Sequence, residues 1–201
     1  MLARAVLGVL AIGFPTVVFV KIARQRRAIG KSPVILGKAG GLQGMFERLS
    51  PFALLFWPAA FLWAAAGRLP LAEGPRCALG LALMIGGGLV SGSSVFLMGR
   101  AWRIGLDPDN RTDLAENGPY RWIRHPIYSG WLLILIGSVL VIRDSTVDVA
   151  AAVTALGVLA QAMREEQHML RTFGERYARY AAHTGRFAPR VPWRTRSDGG
   201  P

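Results

Sequence analysis

The run Gly118-Pro119-Tyr120-Arg121-Trp122-Ile123-Arg124-His125-Pro126-Ile127-Tyr128-Ser129-Gly130 sets arginines, a histidine and aromatic rings at the mouth of an apolar stretch. After a second apolar stretch the chain presents Arg164-Glu165-Glu166, then Phe173-Gly174-Glu175-Arg176-Tyr177 and Tyr180. Cations, carboxylates and flat rings thus bracket one hydrophobic hairpin from both ends. If the hairpin brings them together, they can bind and orient a polar molecule at a membrane surface.

The elements that must position these groups are apolar. The chain has 201 residues and 52% hydrophobic content, and its mean hydropathy of +0.32 exceeds that of an ordinary soluble domain. Five windows are candidate membrane helices: Leu2 to Val20, Pro51 to Ala66, Cys77 to Gly99, Pro126 to Ile142 and Val147 to Met163. Only the first and third reach the roughly 20 residues that cross a hydrocarbon core with ease. The fourth and fifth are joined by the polar turn Arg143 to Asp148 and predict a helical hairpin, whose two outer ends lie on one side. The fold class predicted is all-α: a polytopic integral membrane protein of about five transmembrane helices, with a cytoplasmic cofactor-binding C-terminal region.

Charge sets the side. Of 24 Lys and Arg residues, 20 fall in three segments: Lys21 to Arg48, Gly99 to His125, and Arg164 onward. Only Arg4, Arg68, Arg76 and Arg143 lie at the other ends of the windows. Basic residues in short loops resist translocation, so the predicted N-terminus is outside a cytoplasmic (inner) membrane, and both polar clusters and the C-terminus are cytoplasmic. The net charge of +12 borders apolar helices rather than forming one soluble basic face, which points to anionic lipid headgroups and away from nucleic acid. The first window lacks a small-residue cleavage site and reads as a retained anchor. The single cysteine, Cys77, excludes an internal disulfide and any cysteine-based metal cluster, and no metal is expected.

Three parts follow in order. Residues 1–99 hold three apolar helices and a Gly- and Pro-punctuated connector at Lys31 to Gln43. Residues 100–189 hold a loop, the hairpin and a following helix; residues 190–201 form a basic tail. Gly86-Gly87-Gly88 and Ser91-Gly92-Ser93-Ser94 give the third window a face small enough for close helix packing, with a lipid-tail channel as the alternative. Pro126 suits the first turn of the fourth helix, where a missing N–H costs nothing, and His125 then precedes that helix. Ala150 to Tyr180 predicts one long helix that leaves the membrane near Met163, with Gly174 interrupting it without ending it.

Gly118-x-Tyr120, Arg124-His125-Pro126-x-Tyr128-x-Gly130, Glu165-Glu166 and Phe173-Gly174-x-x-Tyr177-x-x-Tyr180 resemble the isoprenylcysteine carboxyl methyltransferase family and its phospholipid methyltransferase relatives. The resemblance covers Arg100 to Pro189. It implies a membrane enzyme that encloses S-adenosylmethionine and acts on a lipophilic small molecule or lipid from the bilayer. Carried over by position, Tyr120, His125, Pro126, Ile127, Tyr128, Glu165 and Glu166 become cofactor contacts, with Thr112 and Leu114 from a further lining segment. The residue types suit the ligand: carboxylates for an ammonium or ribose hydroxyls, tyrosines for adenine or the sulfonium, and Arg124 or backbone N–H groups for a carboxylate.

Arg124 and Gln161 are the candidate catalytic residues. The family's usual carboxylate-orienting arginine lies one helical turn before the first glutamate, and Gln161 stands there. Glutamine can hydrogen-bond a carboxylate but cannot neutralise it. An amine headgroup, a thiol or a small lipophilic acid is therefore as suitable an acceptor as a prenylcysteine carboxylate. Two other functions remain compatible with the sequence: an NADPH-dependent reductase of the sterol-reductase type, and a non-catalytic membrane scaffold.

Overall fold

The structure is a computed structural model and describes residues 1–30, 34, 55–99 and 114–190. Most of the expected connector at Lys31 to Gln43, the loop residues 100–113 with Thr112, and the tail beyond residue 190 lie outside the described residues. Among the described residues the architecture is helical, with no strand and with isolated β-bridges that include Leu71 with Ile142 and Ile123 with Gly185. The helices are α1 (Leu2–Ile29), α2 (Leu55–Ala65), α3 (Gly74–Leu97), α4 (Pro126–Val141), α5 (Ser145–Phe173) and α6 (Glu175–His183), with a 3-10 turn at Gly118–Arg121. Three helices are long and apolar enough to cross a membrane: Leu2–Ala28, Gly74–Leu97 and Ser145–Phe173. Leu55–Ala65 and Pro126–Val141 are shorter apolar helices.

The small face of α3 is filled by α4. Gly80 faces Gly137, and Gly87 faces Gly130, so the two helices run in opposite directions with backbones touching every second turn. A Cβ on Gly80 would lie 2.8 Å from the Gly137 carbonyl oxygen. Helices in lipid gain little from hydrophobic transfer against one another, and such close approach replaces it with dispersion contact. Close packing is thus what the third window's small residues do. The apolar groove lies elsewhere, a space of about 270 Å3 between α1, α2 and α4 bordered by Phe14, Phe19, Trp57, Phe61, Trp131 and Ile134.

Around this pair the core gathers Leu7 and Ala11 of α1, Trp57, Phe61 and Ala64 of α2, Met84 of α3, Ile134 and Leu135 of α4, and Val147 and Ala151 of α5. Trp57 Nε1 donates to Thr154 Oγ1 at 3.2 Å, fixing α2 to α5, and the Phe14 and Trp131 rings meet edge to face at 4.9 Å between α1 and α4. At one end, the segment before α3 pairs with the end of α4: Ala72 N–H donates to the Val141 carbonyl at 2.8 Å and Arg143 N–H to that of Pro70 at 2.9 Å.

Three boundaries differ from the sequence expectation. The first helix runs past Val20 through Lys21 to Arg27 and is closed by Gly30, whose φ of 72° lets its N–H reach the Arg26 carbonyl at 3.0 Å. The hairpin turn is shorter than Arg143 to Asp148, because Asp144 Oδ1 accepts from the Thr146 and Val147 N–H groups and starts α5 at Ser145. The single helix expected over Ala150 to Tyr180 is ended at Gly174. With φ 52° and ψ −126°, Gly174 adopts a backbone that side-chain-bearing residues avoid, and α6 departs in a new direction.

Candidate active site

The polar ends of α3, α4 and α5 meet, and the segment after α6 folds back over them. Pro126 is the first residue of α4, so the helix begins without a wasted N–H, and His125 stands just before it. One turn on, Tyr128 stacks its ring against the His125 imidazole, centroids 5.5 Å apart and planes 18° apart. Both side chains point toward the glutamates of α5.

Glu165 is the centre of one half. Its Oε1 accepts from the Tyr128 hydroxyl at 2.5 Å and from the Gln161 amide at 3.1 Å, while Oε2 lies 3.5 Å from His125 Nδ1. Gln161 and Glu165 meet because a spacing of four places them on one helix face. The Glu165 side chain keeps 26% exposure, so its carboxylate is polarised from within and open on one side.

Glu166 is the centre of the other half, and its oxygens are occupied. Oε1 accepts from Arg124 Nε and Arg186 Nε, each at 2.9 Å, and Oε2 from Arg186 Nη2 at 2.8 Å. Two guanidinium groups on one carboxylate hold it ionised, and in return hydrogen bonding to Glu166 raises the pKa of Arg186. Arg124 also donates through Nη1 to the carbonyls of Ala181 and Thr184. His125 Nε2 lies 3.3 Å from Glu166 Oε1 but makes no hydrogen bond, and is buried.

The sequence did not point to Arg186 or to the strap that carries it. Thr184 to Phe187 lie against the residues before α4: Arg124 N–H donates to the Gly185 carbonyl at 2.8 Å, His125 N–H to that of Arg186 at 3.1 Å, and Gly185 N–H to that of Trp122 at 3.1 Å. This parallel bridge between Ile123 and Gly185 requires glycine, because a Cβ there would run into the Ala188 carbonyl oxygen. The Ser129 hydroxyl lies 2.8 Å from the Phe187 carbonyl. Nothing periodic in Thr184-Gly185-Arg186-Phe187 signals such pairing; its lone glycine is the one local cue.

The sequence-chosen residues therefore separate. Tyr128, His125, Gln161 and Glu165 form an open cluster. Arg124 and Glu166 are spent on each other, on Arg186 and on the strap, so they act as its frame. Tyr120 is 2% exposed; its hydroxyl donates to the Ser94 carbonyl at 3.3 Å and its own carbonyl accepts from the Tyr180 hydroxyl at 2.7 Å, which ties the 3-10 turn to α3 and α6. No open ring face is left on it. Pro126 is buried at the start of α4, and Ile127 and Leu114 are half-buried.

The chain is similar to known proteins over part of its length. Residues 75–176, half of the chain, match the family model described as phospholipid methyltransferase. Protein-S-isoprenylcysteine O-methyltransferase A of Arabidopsis thaliana is 29% identical over 115 residues, covering 56% of this chain and 58% of that protein. Protein-S-isoprenylcysteine O-methyltransferase B of the same plant is 29% identical over 105 residues, covering 51% of this chain and 53% of that protein. The chain thus spans little more than half the length of the curated relatives it matches. A solved structure of the eukaryotic intramembrane Ras methyltransferase, isoprenylcysteine carboxyl methyltransferase, superposes with a TM-score of 0.50 at 20% identity, covering 74% of this chain and 48% of that one. It shares the fold.

Proposed function

The chain belongs to the phospholipid methyltransferase family, and from that membership we propose that it transfers a methyl group from S-adenosylmethionine to a lipophilic acceptor supplied by the bilayer. The observation that carries this reading is the meeting of Tyr128, His125 and Glu165 across two polar segments far apart in sequence. Family membership makes the reaction class the expected one; the cluster supplies the chemistry for the donor.

The residues fit the donor molecule. A half-open carboxylate at Glu165 suits an ammonium or ribose hydroxyls, and a buried His125 Nε2 without a hydrogen bond has capacity for a further partner. The Tyr128 ring offers an electron-rich face to a cation. When bound, S-adenosylmethionine supplies a methyl group on a positively charged sulfur. Glu165, held by Tyr128 and Gln161, would present its carboxylate to that donor, and the strap with Arg124 and Glu166 would form the wall. Methyl transfer needs alignment in a dry site more than a strong base.

The acceptor follows from Gln161 and the groove. The Gln161 amide is directed at Glu165 and, being uncharged, cannot neutralise an acceptor carboxylate. An amine headgroup or a thiol, nucleophiles that need no cation to orient them, is the acceptor we assign. The apolar groove between α1, α2 and α4 includes Trp131, one turn along α4 from Tyr128, and suits the acceptor's tail. For the topology we propose five spans, with α2 and α4 as the short ones, the N-terminus outside and the cluster on the cytoplasmic face of the inner membrane; the basic bias of that end supports it.

Calorimetry on the detergent-purified protein tests the donor assignment. Micromolar binding of S-adenosylhomocysteine, lost in Glu165→Ala and His125→Ala, is expected. Binding of NADPH in its place, or of neither ligand, overturns it. Native membranes incubated with donor labelled in the methyl group then identify the acceptor by its labelled product.

A further inference from the structure

On the outer side of α6 lies an open cleft of about 440 Å3, lined by Glu116, Arg121, Arg176, Arg179, Tyr180, His183 and Thr184. None of these residues belongs to the Glu165 cluster, and Thr184, whose carbonyl Arg124 holds, is where the cleft adjoins the strap. We propose that this cleft is a binding site for the phosphate of an acidic membrane-lipid headgroup.

The charge is one-sided. Arg176 is taken up by Glu116, whose Oε1 accepts from its Nε at 3.2 Å and its Nη2 at 2.8 Å. That pair cancels and leaves Arg121 and Arg179 as the uncompensated cations of the lining. Arg179 makes no side-chain hydrogen bond among the described residues, and Arg121 rests its guanidinium 5.5 Å from the Trp122 ring centroid. Two guanidinium forks facing one space match the oxygens of a phosphodiester. The volume lies within the roughly 300–1,000 Å3 of small-molecule sites.

Position selects lipid over a free anion. Trp122 is 59% exposed and stands four residues before apolar α4 begins, the level at which tryptophans collect along a bilayer. Tyr177, turned to the other face of α6, is buried, so Arg176, Arg179 and His183 form an outward row at spacings of three and four. The backbone carbonyls of Ala181 and Thr184 on the inner side are held by Arg124. A headgroup in the cleft would therefore fasten α6 to the membrane surface without entering the cluster.

The full chain in zwitterionic detergent is titrated with short-chain phosphatidylglycerol, short-chain phosphatidylcholine and inorganic phosphate, with Trp fluorescence and calorimetry as readouts. Phosphatidylglycerol is expected to bind about tenfold more tightly than the other two, and Arg121→Gln with Arg179→Gln to weaken it about tenfold or more. Arg179→Gln alone gives a smaller loss on an unchanged thermal midpoint, which separates the effect from misfolding. Glu165→Ala leaves the binding in place, so failure of the methyl-transfer reading and failure of this one are distinguishable. Equal binding of inorganic phosphate overturns the lipid assignment. An equal loss in Arg26→Gln with Arg27→Gln, exposed arginines on α1, overturns the site in favour of diffuse surface charge, and no response to phosphatidylglycerol overturns it outright.

Discussion

The Tyr128 hydroxyl donates to Glu165 Oε1 at 2.5 Å, joining the first turn of α4 to a carboxylate of α5 that the sequence places 37 positions away. A hydrogen bond to a charged group contributes about 1.5–3 kcal/mol. Tyr128→Phe keeps the ring stacked on His125 and removes only the donor. We expect the thermal midpoint to drop by a few degrees and S-adenosylhomocysteine affinity to fall about tenfold or more beyond that loss, measured by a thermal scan and calorimetry on the same sample.

Arg124 and Glu166 have side-chain exposures of 12% and 15%, so removing either strands the other away from water. Arg124→Ala is expected to destabilise the protein by about 3 kcal/mol, and Glu166→Gln in the same chain to recover part of that loss. Arg186→Ala, on the more exposed of the two guanidinium groups, should cost less. Denaturation in mild detergent, run as a double-mutant cycle, checks the ranking; additive effects contradict the pairing.

At the contact of α3 with α4, Gly87→Leu and Gly130→Leu force two touching backbones apart. Each should lower the thermal midpoint and the yield of folded protein. Gly86→Leu, where an added side chain meets open space, should do neither.

Gly174 tests backbone conformation alone, since a Cβ there meets no atom within 4 Å. Gly174→Ala is expected to cost about 1–3 kcal/mol through its φ of 52° and to disturb α6 and the strap behind it. Loss of ligand binding beyond loss of stability shows that α6 must leave α5 at this angle.

Burial pushes the Tyr180 hydroxyl up to about 12, opposed by Arg124 and aided by Glu116. The folded form holds this proton more tightly than the unfolded chain. Its contribution is complete below about pH 10 and is lost as pH rises through the interval up to about 12. Tyr180→Phe should flatten the alkaline fall of stability in that interval, followed by unfolding at graded pH. Tyr177, raised for the same first reason, remains and keeps part of the slope.

Much of this was legible in the residues because it is local. Pro126 fixed the start of α4, alternating small residues announced the α3 face, and the Glu165-Glu166 pair stood one helix from His125. The strap was not legible: across some 60 positions Arg124 reaches the Thr184 carbonyl with its guanidinium and the Gly185 carbonyl with its backbone N–H, which leaves no periodicity and asks only that residue 185 be small. Nor did the type of each residue reveal its loading. Glu165 and Glu166 are adjacent and identical, yet one is half-open and the other saturated, because 100° of helical turn points them at different neighbours.

The backbone pairing of Gly185 with Trp122 and Arg124 also imposes an order in time. Helices α4 and α5 leave the ribosome and can insert before residues 184–187 exist outside it, so the wall behind His125 is completed last. A nascent chain stalled just short of the strap would hold every apolar helix and every cluster side chain, yet lack the backbone wall behind His125. Helix insertion and closure of that wall are separated by fewer than a dozen codons beyond α6.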